Sequence, residues 1–171
     1  MAEVNKPNIT IGIPTYLRPN LLNRALKSLN TQTYKNFIIL VSINGHEEEV
    51  AEYKKIESTV NYNLNIEFHF QNKNIGSLNN FFYLLKKSQT KYFMWLADDD
   101  YIDNDYLKIC YDFISNNSKY VLVSGVAKYY KSGELILIFH DFKVKRVEKK
   151  RLNYLFYDLR SPNKLLYALK W

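Results

Sequence analysis

The sequence predicts an α/β fold in which a mostly parallel central sheet is covered by flanking helices. Short apolar segments rich in β-branched residues alternate along the chain with segments whose apolar residues recur at helical spacing. This alternation is typical of doubly wound parallel sheets. The chain has 171 residues, of which 47% are hydrophobic, which is enough for one domain with a full core.

The first half of the chain is predicted to form strand, helix, strand, helix and strand. Asn8–Pro14 is a β-branched strand ended by its proline, and the helix from Pro19 carries its leucines on one face. Phe37–Ile43 is continuously hydrophobic, as expected of a strand covered on both faces. Glu47–Ser58 begins with acidic residues, which favour a helix N-terminus. Asn65–Phe70 alternates between apolar and polar residues, which places it nearer a sheet edge.

The second half continues the pattern with two further helices. Ser77–Lys87 and Asp103–Ser115 have helical apolar spacing, and Tyr92–Leu96 between them is a buried strand. Tyr120–Tyr130 is predicted as a fifth strand, and Glu134–His140 as its hairpin return after a Ser-Gly turn.

The net charge of +7 comes from the C-terminal segment. Residues 1–142 hold 15 basic and 15 acidic residues, whereas residues 143–171 hold nine basic and two acidic ones. Leu152–Trp171 is predicted to form two short helices broken at Ser161-Pro162. We therefore divide the chain into a domain at 1–142 and a basic helical segment at 143–171. The segment indicates either an acidic partner, such as anionic lipid or a phosphorylated substrate, or an ordinary solvated face. No nucleic-acid-binding motif accompanies the charge, so nucleic acid is not expected.

The chain carries no sequence feature of export or membrane insertion. Cys110 is the single cysteine and lies on a predicted helix, where we expect a core thiol in a reducing compartment. No apolar run approaches the length of a membrane span, and the N-terminus lacks the apolar region of a signal peptide. We therefore expect a cytoplasmic protein.

The most informative motif is the run of three aspartates that follows the buried strand at Tyr92–Leu96. Asp98, Asp99 and Asp100 lie where ligands bind in open α/β sheets. Adjacent carboxylates repel one another, and a hard cation such as Mg²⁺ relieves that repulsion. One interpretation is therefore a metal–phosphate site. The other is an acidic cap on the helix that begins near Asp103.

Four polar loops are predicted to gather at one edge of the sheet, because right-handed crossovers bring together the loops that follow parallel strands. They are Pro14–Arg18, Asn44–His46, Gln71–Gly76 and Ala97–Asp100. Their small polar residues suit a nucleotide crevice. The P-loop and G-x-G-x-x-G patterns are both absent, which disfavours a P-loop NTPase or a dinucleotide-dependent enzyme.

Taken in order, these motifs resemble the family 2 glycosyltransferases of the GT-A fold, a Rossmann-like nucleotide-binding fold. The resemblance covers roughly residues 8–115. Its motifs are Ile11–Arg18, Leu22–Tyr34, Ile39–Gly45, Asn74–Phe81 and the Asp-x-Asp-like run Trp95–Asp100.

The resemblance implies a nucleotide-diphosphate sugar as donor and Mg²⁺ or Mn²⁺ as cofactor. It assigns metal binding to Asp98 and Asp100, with Asp100 as the direct ligand. The donor-binding residues it implies are Pro14, Thr15, Tyr16, Arg18, Asn44, Asn74, Gly76, Asn80, Asp98 and Asp99. Tyr16 is suited to base stacking and Arg18 to phosphate. The competing interpretations are packing for Tyr16, a surface charge for Arg18, and loop or cap roles for Asn74 and Asn80.

Family habit further implies an inverting transfer to a glycan or lipid-linked acceptor in cell-surface polysaccharide synthesis, with peripheral contact at an anionic membrane. Two departures stand out. Asn44 occupies the place where the family usually offers an aspartate to the nucleobase, and no carboxylate after Glu134 matches a family base motif. The catalytic residue therefore stays unassigned. The alternatives are a non-catalytic nucleotide-sugar-binding module, a truncated fragment, in which residues 143–171 begin a missing or shortened acceptor half, or a nucleotidyltransferase.

Overall fold

The computed structural model describes residues 6–45, 50–59, 63–123, 125, 127–131, 134–139 and 164–166. The strands are β1 (Ile9–Thr15), β2 (Phe37–Ile43), β3 (Asn65–Phe70), β4 (Tyr92–Trp95), β5 (Leu122–Val123), β6 (Ala127–Lys131), β7 (Glu134–Phe139) and β8 (Lys164–Leu166). The helices are α1 (Pro19–Asn30), α2 (Val50–Thr59), α3 (Ser77–Lys87) and α4 (Tyr106–Asn116). None of the helices in these ranges is long and apolar enough to cross a membrane.

Six of the strands form a parallel sheet in the order β3-β2-β1-β4-β8-β5. The central strand β1 is buried along its whole length, whereas β3 lies at an edge and is partly exposed. The predicted parallel sheet and the edge position of β3 are thus confirmed. Because β1 pairs in register with both β2 and β4, the loops that follow these three strands emerge side by side.

The two faces of the sheet bury two separate apolar clusters, as the two-residue period of a strand requires. On β4, Tyr92 and Met94 pack with the leucines of α1 and the apolar face of α4. The intervening Phe93 and Trp95 pack on the other face against α3. Cys110 is buried in the first cluster, so the prediction of a core thiol is confirmed.

Three element predictions differ from the structure. The predicted strand Tyr120–Tyr130 is wrong, since it is two strands, β5 in the main sheet and β6 in an antiparallel hairpin with β7. Gly125 lies between them, where a side chain would overlap the Tyr106 ring. Helix α4 begins at Tyr106 rather than Asp103, and the interpretation of the aspartate run as its cap is therefore also wrong.

The predicted C-terminal helices are wrong at residues 164–166, which form β8. This strand pairs with both β4 and β5 through its backbone, and so satisfies their N–H and C=O groups in the sheet interior. Three apolar-rich residues are too few for hydrophobic spacing to separate helix from strand. The rest of the predicted C-terminal helical segment, residues 47–49 of the predicted second helix and residue 46 of the predicted second loop lie outside the described residues.

Candidate functional site

The aspartate run contains a fully buried carboxylate. Asp98 is 0% exposed, in the loop after β4. The Thr15 hydroxyl, at the end of β1, donates a hydrogen bond of 2.7 Å to Asp98 Oδ2. Arg18 Nη2 lies 2.8 Å from Asp98 Oδ1. Burial raises the pKa of Asp98 above its ordinary value, and the Thr15 hydrogen bond and the Arg18 charge act in the opposite direction.

Arg18 joins the first loop to the aspartate run. Its Nη1 lies 3.6 Å from Asp99 Oδ2, so the guanidinium contacts both Asp98 and Asp99. The side chain of Arg18 is 47% exposed and that of Asp99 is 51% exposed. The backbone carbonyl of Asp99 also accepts a hydrogen bond from Arg24. The structure therefore brings together two residues of the first loop and two of the predicted carboxylates at the carboxyl edge of the sheet, here called the rim. These residues are Thr15, Arg18, Asp98 and Asp99.

Tyr53 also belongs to this cluster, although no sequence motif predicts it there. It comes from α2 and is 1% exposed. Its Oη lies 3.0 Å from Thr15 Oγ1 and accepts a hydrogen bond of 2.9 Å from the Arg18 backbone N–H. The only local signal is a lone tyrosine among the charged residues of α2, which predicts burial but no contact.

A second polar cluster links the loops that follow β2 and β3. Asn44 is buried, and its amide donates to Asn74 Oδ1 at 2.9 Å while its carbonyl accepts from the Ile75 N–H at 2.8 Å. Asn74 Oδ1 also accepts from the Gly76 N–H at 2.8 Å. Gly76 has φ +82°, a left-handed conformation that favours glycine. Gly45 is required for a different reason, because a side chain there would overlap the backbone of the β3–α3 loop.

Asn80 is a buried residue of α3 whose side chain contacts β2. It is 2% exposed, its Oδ1 accepts from the Ser42 hydroxyl at 2.6 Å, and its Nδ2 donates to the Ser42 carbonyl at 3.1 Å. Gln71 Nε2 donates to the same hydroxyl at 2.9 Å. These bonds tie α3 to β2 beneath the loop cluster. A direct donor contact by Asn80 stays a prediction.

The remaining first-loop residues occupy the end of β1 and the turn after it. Pro14 is buried in β1 opposite Ser42, and Tyr16 is half-buried. Leu17, between Tyr16 and Arg18, has φ +56°, which a leucine rarely adopts. The donor-binding roles of Pro14 and Tyr16 stay predictions.

The donor set fits a metal that the substrate helps to hold. No group of three or more metal-ligating His, Cys, Asp or Glu side chains occurs within the described ranges. Asp100, the predicted direct ligand, is half-buried, whereas Asp98 faces Thr15 and Arg18. Mg²⁺ is commonly bound by one or two carboxylates plus substrate phosphates and water, so a single carboxylate beside a diphosphate suffices. A metal contact by Asp98 stays a prediction, and it requires Arg18 to move.

Ligands bind at the carboxyl edge of such parallel α/β sheets, and in this chain that edge carries carboxylates, an arginine and amides. The model of the family described as glycosyl transferase family 2 matches residues 10–165, and the chain belongs to this family. The resemblance inferred from the motifs is thus confirmed.

The curated relatives are glycosyltransferases much longer than this chain. An uncharacterized glycosyltransferase of Rickettsia conorii is 28% identical over 141 residues, which is 81% of this chain and 22% of the relative. The glycosyltransferase GlyA of Streptococcus pneumoniae is 29% identical over 126 residues, which is 74% of this chain and 17% of the relative. The chain therefore spans about a fifth of the length of these two relatives.

Solved structures confirm the GT-A fold. S. aureus TarS 1–349 in complex with UDP-GlcNAc has a TM-score of 0.62 at 22% identity, covering 70% of this chain and 34% of that one. The mannosyltransferase PcManGT from Pyrobaculum calidifontis, in complex with GDP-Man and Mn²⁺, has a TM-score of 0.58 at 14% identity, covering 67% and 34%.

Proposed function

We propose that this chain binds the nucleotide-diphosphate sugar of a metal-dependent, inverting glycosyltransferase at the rim formed by the loops after β1, β2 and β4. The observation that carries the proposal is the buried Asp98, held by Thr15 and Arg18 beside two further aspartates. A half-exposed guanidinium next to a carboxylate run suits an anionic diphosphate, since arginine binds phosphate through paired N–H donors.

Each loop has a distinct task in this proposal. Arg18 binds the diphosphate, and Tyr16 stacks on the base. Asn44 and Asn74 hold the second loop against the third, and so shape the nucleotide crevice. Asp100 holds Mg²⁺ or Mn²⁺ together with the phosphate oxygens. When bound, Mg²⁺ or Mn²⁺ would supply positive charge against the negative charge of the departing nucleoside diphosphate.

Calorimetric titration with UDP and with GDP, each with and without Mn²⁺, tests the binding. UDP is the first choice because the TarS structures include UDP and UDP-GlcNAc complexes, and GDP follows from the PcManGT complex. Metal-dependent binding should be lost in Asp100→Ala and kept in Asp112→Ala, an exposed aspartate on α4 that pairs with Lys108. Equal binding by both variants would refute the metal assignment.

The stacking role of Tyr16 is tested by Tyr16→Ala. Base–aromatic stacking contributes about 1–3 kcal/mol, so nucleoside diphosphate affinity should fall roughly fivefold or more. Because Tyr16 is only half-buried, the melting temperature should change little. A large loss of stability with unchanged affinity would make Tyr16 a packing residue.

A non-catalytic donor-binding module is the second candidate. Two carboxylates after Asp100 are already paired, Asp103 with Lys128 at 3.0 Å and Asp112 with Lys108 at 2.7 Å. No catalytic base is assigned among the described residues, which also include the carboxylates of Asp105 and Glu134. Release of UDP from UDP-GlcNAc separates the candidates: binding with turnover supports the enzyme, and binding without turnover supports the module.

We further propose that the acceptor is a glycan or lipid-linked chain of a cell-surface polysaccharide, reached at an anionic membrane from the cytoplasmic side. The nine basic residues of segment 143–171 support the membrane contact, since each contributes about 1 kcal/mol near an anionic surface. Cosedimentation with phosphatidylserine vesicles at low salt should capture the protein, and high salt should release it. Failure to cosediment at low salt would refute the membrane contact.

A further inference from the structure

A closed ring of polar contacts begins and ends on Arg18. Its backbone N–H bonds Tyr53 Oη, Tyr53 Oη contacts Thr15 Oγ1, and Thr15 donates to Asp98. Asp98 then contacts the guanidinium of the same arginine. These contacts connect Arg18 to the end of β1, to the loop after β4 and to helix α2.

The proton positions in this ring follow from the chemistry of its members. An ionised carboxylate only accepts, so the single hydroxyl proton of Thr15 is donated to Asp98. Thr15 therefore accepts from Tyr53, and Tyr53 in turn accepts from the Arg18 N–H. Each hydroxyl passes its proton in the same direction, toward Asp98. Removing the Tyr53 hydroxyl consequently breaks two adjacent bonds of the ring at once.

The ring lies directly after a strained backbone position. Leu17 has φ +56° and is 40% exposed, so its own packing does little to hold this conformation. Strained residues persist where the surrounding structure over-determines them, and they are common at binding sites. The first bond after Leu17 is the one from the Arg18 N–H to Tyr53.

We propose that Tyr53 is a positioning residue for donor binding. Through its hydroxyl it fixes both the backbone of Arg18 and, by way of Thr15 and Asp98, the direction of the guanidinium. Tyr53 is 1% exposed, so it acts through Arg18 and Thr15 rather than by contacting the donor. Arg18 is thereby ordered before the diphosphate arrives, which lowers the entropic cost of binding. This inference rests on the proposed function of the rim.

Tyr53→Phe tests the proposal, with Tyr92→Phe as a matched control. Both tyrosines are 1% exposed, but the Tyr92 hydroxyl has no hydrogen-bond partner among the described residues. Each change removes one buried hydroxyl and keeps the aromatic side chain. Three quantities are measured for each protein: melting temperature, the amide hydrogen exchange of Arg18, and UDP affinity with Mn²⁺.

In Tyr53→Phe we expect faster exchange at Arg18 and affinity lower by about five- to tenfold, the effect of one to two lost hydrogen bonds. In Tyr92→Phe we expect neither. Unchanged exchange at Arg18 would overturn the ring. Faster exchange with unchanged affinity would overturn the positioning role. Absence of UDP and GDP binding in the unsubstituted protein would instead refute the proposed function itself.

A second pair of variants tests the same connection from Thr15, and serves also if Tyr53→Phe does not fold. Thr15→Ser keeps the hydroxyl and should keep the UDP affinity, whereas Thr15→Val removes the hydroxyl and should lower that affinity. Tyr53→Phe should lower the UDP affinity of the Thr15→Val protein by less than it lowers the affinity of the unsubstituted protein, because Thr15→Val already breaks the connection to Asp98. Full additivity would mean that the two hydroxyls act independently.

Discussion

Asp98→Asn distinguishes two effects of the Asp98 charge, namely the cost of burying it in the folded protein and its contribution to donor binding. The substitution keeps the shape of a side chain that is 0% exposed. It changes the acceptor for the Thr15 hydroxyl from a carboxylate to a neutral group, and it removes the charge opposite Arg18. Burial already raises the pKa of Asp98, so ionising this carboxyl costs more in the folded protein than in the unfolded chain.

The two opposing effects on stability are of similar size. A hydrogen bond to a charged group contributes about 1.5–3 kcal/mol and a neutral one about 0.5–1.5, so roughly 1 kcal/mol is lost at Thr15. The ion pair adds about 0–1 kcal/mol, because Arg18 is half-exposed and screened by water. Against this, the protein no longer desolvates a carboxylate, a penalty of several kcal/mol for a full charge, and part of that gain is offset by the buried amide N–H group facing Arg18. We expect the free energy of unfolding to change by no more than about 1 kcal/mol.

The assays are urea denaturation and UDP titration with Mn²⁺. Stability should be nearly unchanged, while affinity should fall about tenfold or more because the guanidinium loses its anchor. Asp112→Asn is the control, since Asp112 is exposed and makes an i,i+4 pair with Lys108. A loss of more than about 3 kcal/mol, with affinity unchanged in the folded fraction, would show that Asp98 is structural.

Three further predictions concern residues away from Asp98. Burial lowers the pKa of His69 below its ordinary 6.5, so the folded state binds the His69 proton less readily than the unfolded state. The stability of the fold should therefore be full above about pH 6.5, the unfolded-state pKa, and should fall as the pH drops through the folded-state pKa. His69→Phe should remove this dependence, and identical pH profiles would contradict it. Burial raises the pKa of Cys110 to about 11, so iodoacetamide at about pH 8 should modify it only after unfolding; modification of the native protein at the rate of a free thiol would contradict this. Gly45→Ala should cost about 1–3 kcal/mol in urea denaturation, because the new methyl group overlaps the Gln71 carbonyl; a neutral effect would contradict the close approach. Gly76→Ala is the control for Gly45→Ala: nothing lies within 4 Å of the new methyl group, so it should show only the cost of a backbone at φ +82° and ψ 153°, about 1–3 kcal/mol.

The sequence predicts best those elements whose pattern is local and long. The bounds of β2, β3 and α3 agree with the prediction, since six apolar residues among seven, a clear alternation and a helical stripe each leave one interpretation. Gly125 and the strand β8 were missed for the opposite reason. Whether a short apolar segment forms a strand depends on the neighbours that its backbone pairs with, and those are set by the whole sheet.

The site was predicted in part, because its loops are local features and its contacts are not. The aspartate run and the first loop could be placed at one rim from strand order alone. The contact from Arg18 to Asp98 crosses 80 residues of chain, and that from Thr15 to Tyr53 crosses 38. No spacing in the sequence encodes either contact. Tyr53 in particular belongs to no motif, and only the folded chain brings it to Thr15 and Arg18.

The proposed function requires a nucleoside diphosphate and a metal to bind together beside Asp98–Asp100. Paramagnetic broadening by Mn²⁺ in an amide NMR spectrum tests it directly, with diamagnetic Mg²⁺ as the reference. With UDP present, signals from residues 15–18 and 97–100 should disappear on addition of Mn²⁺, and those of α4 beyond Cys110 should persist. In Asp100→Ala the broadening should be absent. Broadening confined to other parts of the chain, or unchanged in Asp100→Ala, would refute joint binding of the nucleotide and the metal at this site.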